Sequence, residues 1–156
     1  MDLYNKSLSV LKELFARDYQ FSLATSKNDV PSIRVVDAYY EDESFWIVTY
    51  GDSKKVSEIT GNPNVALCHN LFSFKGKAYN VGHPLEKENL AIREKLIKVF
   101  EKWYFHHNNE SNNKTCYIRI GLTSGFFYKD GIGYKVDFIN KSVETFPFES
   151  EVVIIE

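Results

Sequence analysis

The strongest constraint on the fold is a series of three strand-like segments that follow one another with only short polar turns between them. Residues 19–25 alternate apolar and polar side chains, residues 32–40 are rich in β-branched and aromatic side chains, and residues 45–50 repeat that composition. Alternation with a period of two is typical of a strand with one buried face. Neighbouring parallel strands need a crossover of about a dozen residues, and these turns are far shorter. The three segments are therefore predicted to form an antiparallel meander.

Further strand-like segments continue this pattern towards the C-terminus. They occupy residues 64–71, 75–82, 115–128 and 133–138, and the last two flank an Asp-Gly sequence that favours a tight hairpin. An apolar stretch near the end, residues 152–155, could pair on a sheet edge or dock against a partner. Antiparallel strands joined in this way, with few helices, predict a mainly β fold that closes into a small barrel.

Three other segments have helical patterns. Residues 2–16 place leucines and a phenylalanine among charged residues, which is typical of a short amphipathic helix. After the third strand, Ser53 can cap a short helix that the Gly-Asn-Pro sequence at residues 61–63 would end. Residues 85–105 show the apolar period of one long helix.

Composition limits the classes of protein to which the chain can belong. With 156 residues, of which 44% are hydrophobic and 26% charged, it is expected to be a single domain spanning residues 1–156. A formal net charge of −2 provides no basic excess for general nucleic-acid binding. No apolar stretch is long enough for a membrane span, and the N-terminus lacks the pattern of a signal peptide. A cytoplasmic location is expected, with Cys68 and Cys116 as buried free thiols.

The sequence Ser53-Lys54-Lys55, at the start of the short helix, is the first candidate site. A helix N-terminus presents unpaired N–H groups and a partial positive charge, and a hydroxyl and two ammonium groups beside it would strengthen phosphate binding. The same residues also fit a capped helix with two solvated lysines. Arg34 lies in the second strand, beside the third strand that leads into this helix. It either joins the lysines around an anion or lies on a solvated face of the barrel.

Other catalytic and metal-binding patterns find no support. There is no Gly-x-Ser-x-Gly motif of a hydrolase, and the one Gly-x-Gly sequence falls in a predicted hairpin rather than between a strand and a helix. The histidines are scattered without the spacing of a ligand set, so no metal site is expected. They are His69, His83, His106 and His107.

The order of several short motifs makes the chain recognisable. Residues 21–25 read Phe-Ser-Leu-Ala-Thr, 31–36 Pro-Ser-Ile-Arg-Val-Val, 45–49 Phe-Trp-Ile-Val-Thr, 53–56 Ser-Lys-Lys-Val and 62–67 Asn-Pro-Asn-Val-Ala-Leu. This order and spacing resembles the pyridoxamine 5′-phosphate oxidase-like FMN-binding split-barrel family. It is most similar to the small bacterial members related to general stress protein 26 and the nitroimidazole-resistance (Nim) proteins. The resemblance covers residues 19–138.

The resemblance implies a split β-barrel of six or seven antiparallel strands, with a short helix after the third strand and one long helix. It also implies a homodimer that holds FMN in clefts between the subunits. Carried over by position, Arg34 and Lys55 would bind the FMN phosphate, with Ser53 and Lys54 beside them. The remaining implied contacts border the flavin ring: Val35, Val36, Asp37, Thr49 and Tyr50.

The leading interpretation is a flavin-dependent oxidoreductase whose substrate is open and whose electron donor is to be sought first among NADH and NADPH. True pyridoxamine phosphate oxidases carry a C-terminal substrate segment with Arg and Trp that this chain does not match, so oxidation of pyridoxine phosphate is not expected. An alternative is a non-catalytic flavin or haem carrier or sensor with the same fold, in which His69 or His83 would be the axial ligand. A third interpretation is an interaction domain without a cofactor.

Overall fold

Residues 1–149, which a computed structural model describes, form eight β-strands and four α-helices. The helices are α1 (Leu3–Phe15), α2 (Lys54–Gly61), α3 (Leu90–Val99) and α4 (Tyr104–His107). The strands are β1 (Tyr19–Lys27), β2 (Val30–Glu41), β3 (Ser44–Tyr50), β4 (Asn64–His69), β5 (Phe72–Gly82), β6 (Thr115–Lys129), β7 (Ile132–Asp137) and β8 (Ser142–Pro147). None of these helices is long and apolar enough to cross a membrane.

All strands belong to one antiparallel sheet in the order β3-β2-β1-β4-β5-β6-β7-β8. An additional pairing of β3 with β6 closes the first six strands into a barrel, and β7 and β8 extend the sheet beyond β6. The predicted antiparallel barrel is therefore confirmed. Local turn chemistry supports it, because Asn28 and Asp29 at the β1–β2 turn both adopt positive φ, as type I′ hairpins require.

The barrel interior is filled by aromatic side chains around Phe15, the last residue of α1. Its ring lies 5.2 Å from that of Phe72 and 5.5 Å from those of Phe21 and Phe74, measured between centroids. Phe15 is completely buried. Because aromatic pairs add edge-to-face attraction to the burial of large apolar areas, α1 is held firmly against the barrel core.

A second, smaller core lies outside the barrel, where α3 and α4 pack on β3 and β6. Leu96, Phe100 and Tyr104 project from this helical region at intervals of four residues and are fully buried. They pack against Val48 of β3 and Tyr117 of β6. This contact places the α4 region next to the C-terminal end of β3.

The prediction of one continuous helix over residues 85–105 is wrong, because the segment divides into α3 and the short α4. At its start, the side-chain amide of Asn89 donates hydrogen bonds to the carbonyls of Val81 and His83, which delays the α-helix until Leu90. Towards its end, α3 stops at Val99, and Trp103 is non-helical with φ of −140° before α4 begins. In that conformation its indole N–H reaches a carboxylate on another element. Tertiary hydrogen bonds of Asn89 and Trp103 thus accompany the departures from the predicted helix.

Three smaller differences also appear. Cys68 is exposed rather than buried, because it lies on the outward face of β4, whereas Cys116 is buried as expected, and both thiols are free. The barrel itself has six strands, within the predicted six or seven, and the sheet gains an unpredicted strand, β8, which pairs with β7 along its whole length. The apolar stretch at residues 152–155 lies outside the described residues.

Candidate functional site

A cleft opens in the barrel wall where β2 and β3 diverge. The two strands pair through only three residue pairs, Tyr39–Trp46, Tyr40–Phe45 and Glu41–Ser44, next to their hairpin turn. Beyond that point β2 stays with β1, whereas β3 pairs with β6 along all seven of its residues. The gap has a volume of about 540 Å³, within the usual range for small-molecule sites. It is lined by Asp18, Gln20, Val35, Val36, Asp37, Ile47, Val48, Thr49, Tyr50, Lys55, Trp103, His107 and Asn108.

Lys55 carries the positive charge of this cleft. It belongs to the first turn of α2, and its ammonium donates a hydrogen bond of 2.8 Å to Oγ1 of Thr49. Partial burial, with repulsion from Arg34, lowers the pKa of Lys55 below its ordinary value. Lys55 forms no salt bridge with any residue between 1 and 149. An anion would therefore find a partly desolvated ammonium that no carboxylate neutralises.

Arg34 approaches Lys55 from β2, but its side chain does not line the cleft. Its guanidinium donates to Oγ1 of Thr25 at 2.8 Å and to the carbonyl of Leu23 at 3.2 Å. Thr25 in turn donates to the buried carboxylate of Glu58, which also accepts from Ser32. These bonds connect β1, β2 and α2 below the cleft. They fix the guanidinium close enough to Lys55 to depress its pKa.

Ser53 and Lys54 have different roles from Lys55. The Ser53 hydroxyl accepts the backbone N–H of Val56 and caps α2, so it sets where the helix begins. The Lys54 side chain is 78% exposed and lies 3.8 Å from the carboxylate of Glu58. The two neighbouring lysines thus differ sharply, because Lys55 faces the cleft and Lys54 faces solvent.

The third wall of the cleft comes from the α4 region, which lies more than fifty residues from β3 along the chain. The Tyr50 hydroxyl donates to the backbone carbonyl of His107 and accepts the N–H of Asn109. Behind this wall, the Tyr104 and Tyr117 hydroxyls lie 2.5 Å apart, and Tyr104 also donates to Glu110. A buried, fully connected network of this kind rigidifies the wall.

Two carboxylates line the cleft opposite Lys55. Gln20 and Asp37 are direct partners in the β1–β2 ladder, and Asp18 lies two residues before Gln20 on the same face. The indole N–H of Trp103 donates to Asp18 over 2.8 Å. Burial and the neighbouring Asp18 carboxyl raise the pKa of Asp37 to about 6. This pair was not anticipated as a unit, because Asp18 precedes the first predicted strand and Trp103 belongs to a distant segment.

Some, but not all, of the residues that the resemblance implied for FMN binding line the β2–β3 cleft. Arg34, Ser53 and Lys54 do not line the cleft, although Arg34 and Ser53 support it from behind. Cofactor binding by any of them stays a prediction. Those that do line the cleft are Val35, Val36, Asp37, Thr49, Tyr50 and Lys55.

Neither histidine considered as a haem ligand lies on this cleft. The ring of His69 contacts the carbonyl of Gln20 at 2.9 Å, and that of His83 contacts the carbonyl of Glu110 at 2.9 Å. His107 is the histidine that reaches the cleft wall. Within residues 1–149, no group of three or more His, Cys, Asp or Glu side chains is arranged to hold a metal ion.

Two larger clefts have less suitable linings. One of about 920 Å³ lies between α1 and the β2–β3 turn, where Lys12 and Lys95 face Glu41, Asp42 and Glu43. Another of about 740 Å³ lies on the outer face of β4 to β8 and mixes lysines and acidic residues on an apolar floor. In both, acidic residues offset the lysines, and the N-terminus of α2 faces neither. Of these three clefts within residues 1–149, the β2–β3 cleft alone joins that helix to an ammonium without a salt bridge.

Comparison with known proteins gives a consistent result. A family model described as pyridoxamine 5′-phosphate oxidase matches residues 9–125. No curated protein sequence matches the chain. Three solved structures share its fold, each over most of both chains. General Stress Protein 26 from Bacillus anthracis is 20% identical with a TM-score of 0.56, covering 81% of this chain and 93% of that one. A NimC/NimA family protein from Clostridium acetobutylicum is 18% identical with a TM-score of 0.55 and 95% coverage of both.

The third structure is a pyridoxamine 5′-phosphate oxidase-related, FMN-binding protein from Nostoc punctiforme. It is 11% identical, with a TM-score of 0.57, and the match covers 96% of this chain and 98% of that one. Other proteins of the same fold are described as a FAD-binding protein, an F420 reductase and a haem storage protein. At these identities the likeness concerns the fold, so the choice of cofactor depends on the cleft itself.

Proposed function

This chain belongs to the pyridoxamine 5′-phosphate oxidase-like split-barrel family, and from that premise we propose that it binds FMN in the β2–β3 cleft and acts as a flavin-dependent oxidoreductase. The observation that carries the proposal is the environment of Lys55. Its ammonium lies at the N-terminus of α2, beside the Arg34 guanidinium, and forms no salt bridge within residues 1–149. Helix N–H groups and a lysine ammonium in one place, with the Arg34 guanidinium behind them, suit a phosphate monoester.

The rest of the cleft fits a flavin ring. Because β2 pairs with β3 only at Tyr39 to Glu41, the preceding backbone of Val35 to Asp37 runs along the cleft without a β3 partner. Unpaired strand groups can bond the polar edge of a flat heterocycle. Thr49 and Tyr50 face them from β3, and Trp103 closes one side with an aromatic surface. Bound FMN would supply hydride chemistry, and the chain would bind, orient and shield it.

The proposal includes a homodimer with one cleft near each subunit boundary. On the outward face of β2, Ile33 is 71% exposed and Val35 is 65% exposed, next to the open side of the cleft. Large apolar residues grouped on one strand favour a protein contact. A second subunit on this face would cover the cleft and exclude water from the ring. NADH or NADPH is the first electron donor to test, and the substrate is not specified by these residues.

The test is FMN binding to matched lysine variants. Lys55→Ala removes the cleft ammonium and should weaken FMN binding about tenfold or more, since a charge-assisted bond contributes roughly 1.5–3 kcal/mol. Lys54→Ala removes the same charge one residue away, on a solvent-exposed side chain, and should change affinity little. The combined Arg34→Ala and Lys55→Ala variant should lose FMN on desalting. Fluorescence quenching of free FMN measures each affinity.

Equal effects of the two single lysine variants would contradict the site. A wild-type protein that stays colourless after incubation with FMN and desalting would contradict the cofactor. Haem titration would follow in that case, and the appearance of a Soret band would support the carrier alternative.

A further inference from the structure

The Asp18 and Asp37 carboxyls form a pair on the wall of the β2–β3 cleft. Both line the cleft, and they are neighbours on one face of the sheet, because Asp37 pairs with Gln20 and Asp18 lies two residues before Gln20. Two neighbouring carboxylates in a cleft partly shielded from water repel each other, which favours a state in which one of them carries a proton. Asp18 is held in place by the Trp103 indole, which donates to it over 2.8 Å. The pair is therefore fixed from β1, β2 and the α4 region together.

Few charges face this pair. From the α4 side, His107 is the titratable neighbour, and its charge favours ionised Asp37. From β3 and α2, Tyr50 and Lys55 line the opposite side of the cleft. Neither carboxylate forms a salt bridge within the described part of the chain. Apart from His107, Gln20 and the Trp103 indole N–H, no group of this wall therefore offsets two full negative charges.

The position of the pair relates it to the proposed FMN site, on which this inference rests. Asp37 lies three residues after Arg34 along β2, which corresponds to about 10 Å of strand. A ligand with its phosphate near Lys55 and Arg34 would extend along β2 towards Asp37. Each negative charge on the pair would repel an anionic ligand in a cleft partly shielded from water.

We propose that Asp18 and Asp37 determine the charge specificity of the cleft by sharing one proton, which must be present for FMN to bind tightly. With the proton shared, the pair carries one negative charge. When the proton is lost, the pair carries two, and FMN binds more weakly. Replacing either carboxyl by an amide leaves one carboxylate, so the pair then carries one negative charge at any pH from 5 to 8.

The experiment compares FMN dissociation constants of the wild type and Asp37→Asn at pH 5 and at pH 8. At pH 5 the two proteins should bind FMN equally. At pH 8 the variant should bind about tenfold more tightly than the wild type, because it lacks the second charge. Comparing the two proteins at the same pH cancels the titration of the FMN phosphate and of groups common to both proteins. Asp18→Asn should give the same result and replaces Asp37→Asn if that variant fails to fold.

Asp29→Asn is the matched control, since it removes one charge from the exposed β1–β2 turn, away from the cleft. It should bind FMN like the wild type at both pH values. A carboxyl carbon titration by NMR on the FMN-free protein gives a readout without the cofactor, and Asp37 should titrate near pH 6 in the wild type and at lower pH in Asp18→Asn.

Equal affinity of Asp37→Asn and the wild type at pH 8 would overturn the inference while leaving the FMN site intact. Weaker binding by the variant at pH 8 would also overturn it, because an ionised Asp37 would then be a favourable contact. Failure of the wild type to bind FMN at any pH would overturn the proposed function. In that event the NMR titration still decides whether the two carboxyls share a proton.

Discussion

The ammonium of Lys55 donates a hydrogen bond of 2.8 Å to Oγ1 of Thr49, and this bond joins the first turn of α2 to the β3 wall of the cleft. The two residues are six positions apart, on either side of the turn that leads from β3 into α2. Thr49 is almost fully buried, so its hydroxyl depends on protein partners. The bond therefore aims the ammonium along the cleft instead of leaving it to solvent.

Thr49→Val tests whether this orientation of the Lys55 ammonium contributes to FMN binding. Valine preserves the shape of threonine but cannot accept a hydrogen bond from the Lys55 ammonium. FMN affinity should therefore fall about threefold to tenfold, the equivalent of one hydrogen bond. Thr123→Val removes a comparable hydroxyl that donates to the Lys75 carbonyl on a different part of the sheet. It should leave FMN affinity unchanged. If both variants bind FMN like the wild type, Thr49 does not position Lys55.

Ile33→Asp tests the proposed subunit contact. A charge on the exposed face of β2 should convert a dimer into a monomer, because an unpaired carboxylate in an apolar contact is strongly unfavourable. Ile139 is also 71% exposed but lies in the β7–β8 turn, so Ile139→Asp should remain dimeric. Sedimentation velocity at micromolar concentration distinguishes the two. Dimers in both variants would place the contact on another face.

Glu58→Gln tests the network that holds Arg34. Hydrogen bonds from Thr25 and Ser32, with the nearby charges of Lys54 and Arg34, keep the pKa of Glu58 below its ordinary value despite its burial. A carboxylate with a lowered folded-state pKa contributes stability above its unfolded pKa, and that contribution is lost as pH falls through the folded pKa. The variant should thus melt below the wild type at pH 7, and the difference should shrink in acid.

Thermal unfolding followed by circular dichroism at pH 7 and at pH 3 measures this effect. The matched control is Glu144→Gln on the exposed edge strand β8, which should show no difference at either pH. A difference for Glu58→Gln that is the same at both pH values would mean that the charge of Glu58 does not contribute.

Gly125→Ala tests the packing of β6 against the barrel core. A Cβ at Gly125 would lie 2.5 Å from Cδ1 of Phe74, a ring that is almost fully buried among other aromatics. The ring cannot move without disturbing its neighbours, so the variant should lose about 1–3 kcal/mol of unfolding free energy. Gly61→Ala, at the end of α2, meets no atom within 4 Å and should be neutral or slightly stabilising. Urea denaturation measures both, and equal stabilities would show that the core around Phe74 can relax.

Much of the barrel follows from signals that are local in the sequence. The alternation of apolar and polar side chains predicted β1, and β-branched and aromatic side chains predicted β2 and β3. Residues that tolerate positive φ, such as Asn28-Asp29 and Asp130-Gly131, predicted the turns. Ser53 marked the start of α2. These signals work because side-chain direction in a strand and backbone conformation in a turn depend on neighbouring residues.

The site could be predicted only where it lies on these elements. Thr49, Tyr50 and Lys55 follow one another along β3 and α2, and resemblance was enough to name them. Arg34 was also named, but no local pattern indicated that its side chain bonds Thr25 behind the cleft, or that Trp103 positions Asp18. Their partners are distant in the chain, and no local pattern encodes such contacts.

The sequence by itself determined the strands β1 to β7, the turns between them and the cap of α2, because each depends on residues a few positions apart. Only the tertiary structure decided where β2 leaves β3, since that requires β3 to pair with β6. It also decided that residues 85–105 divide into α3 and α4. Hydrogen bonds from Trp103 to Asp18 and from Tyr104 to Tyr117 join the α4 region to distant segments, and this packing creates the third wall of the cleft.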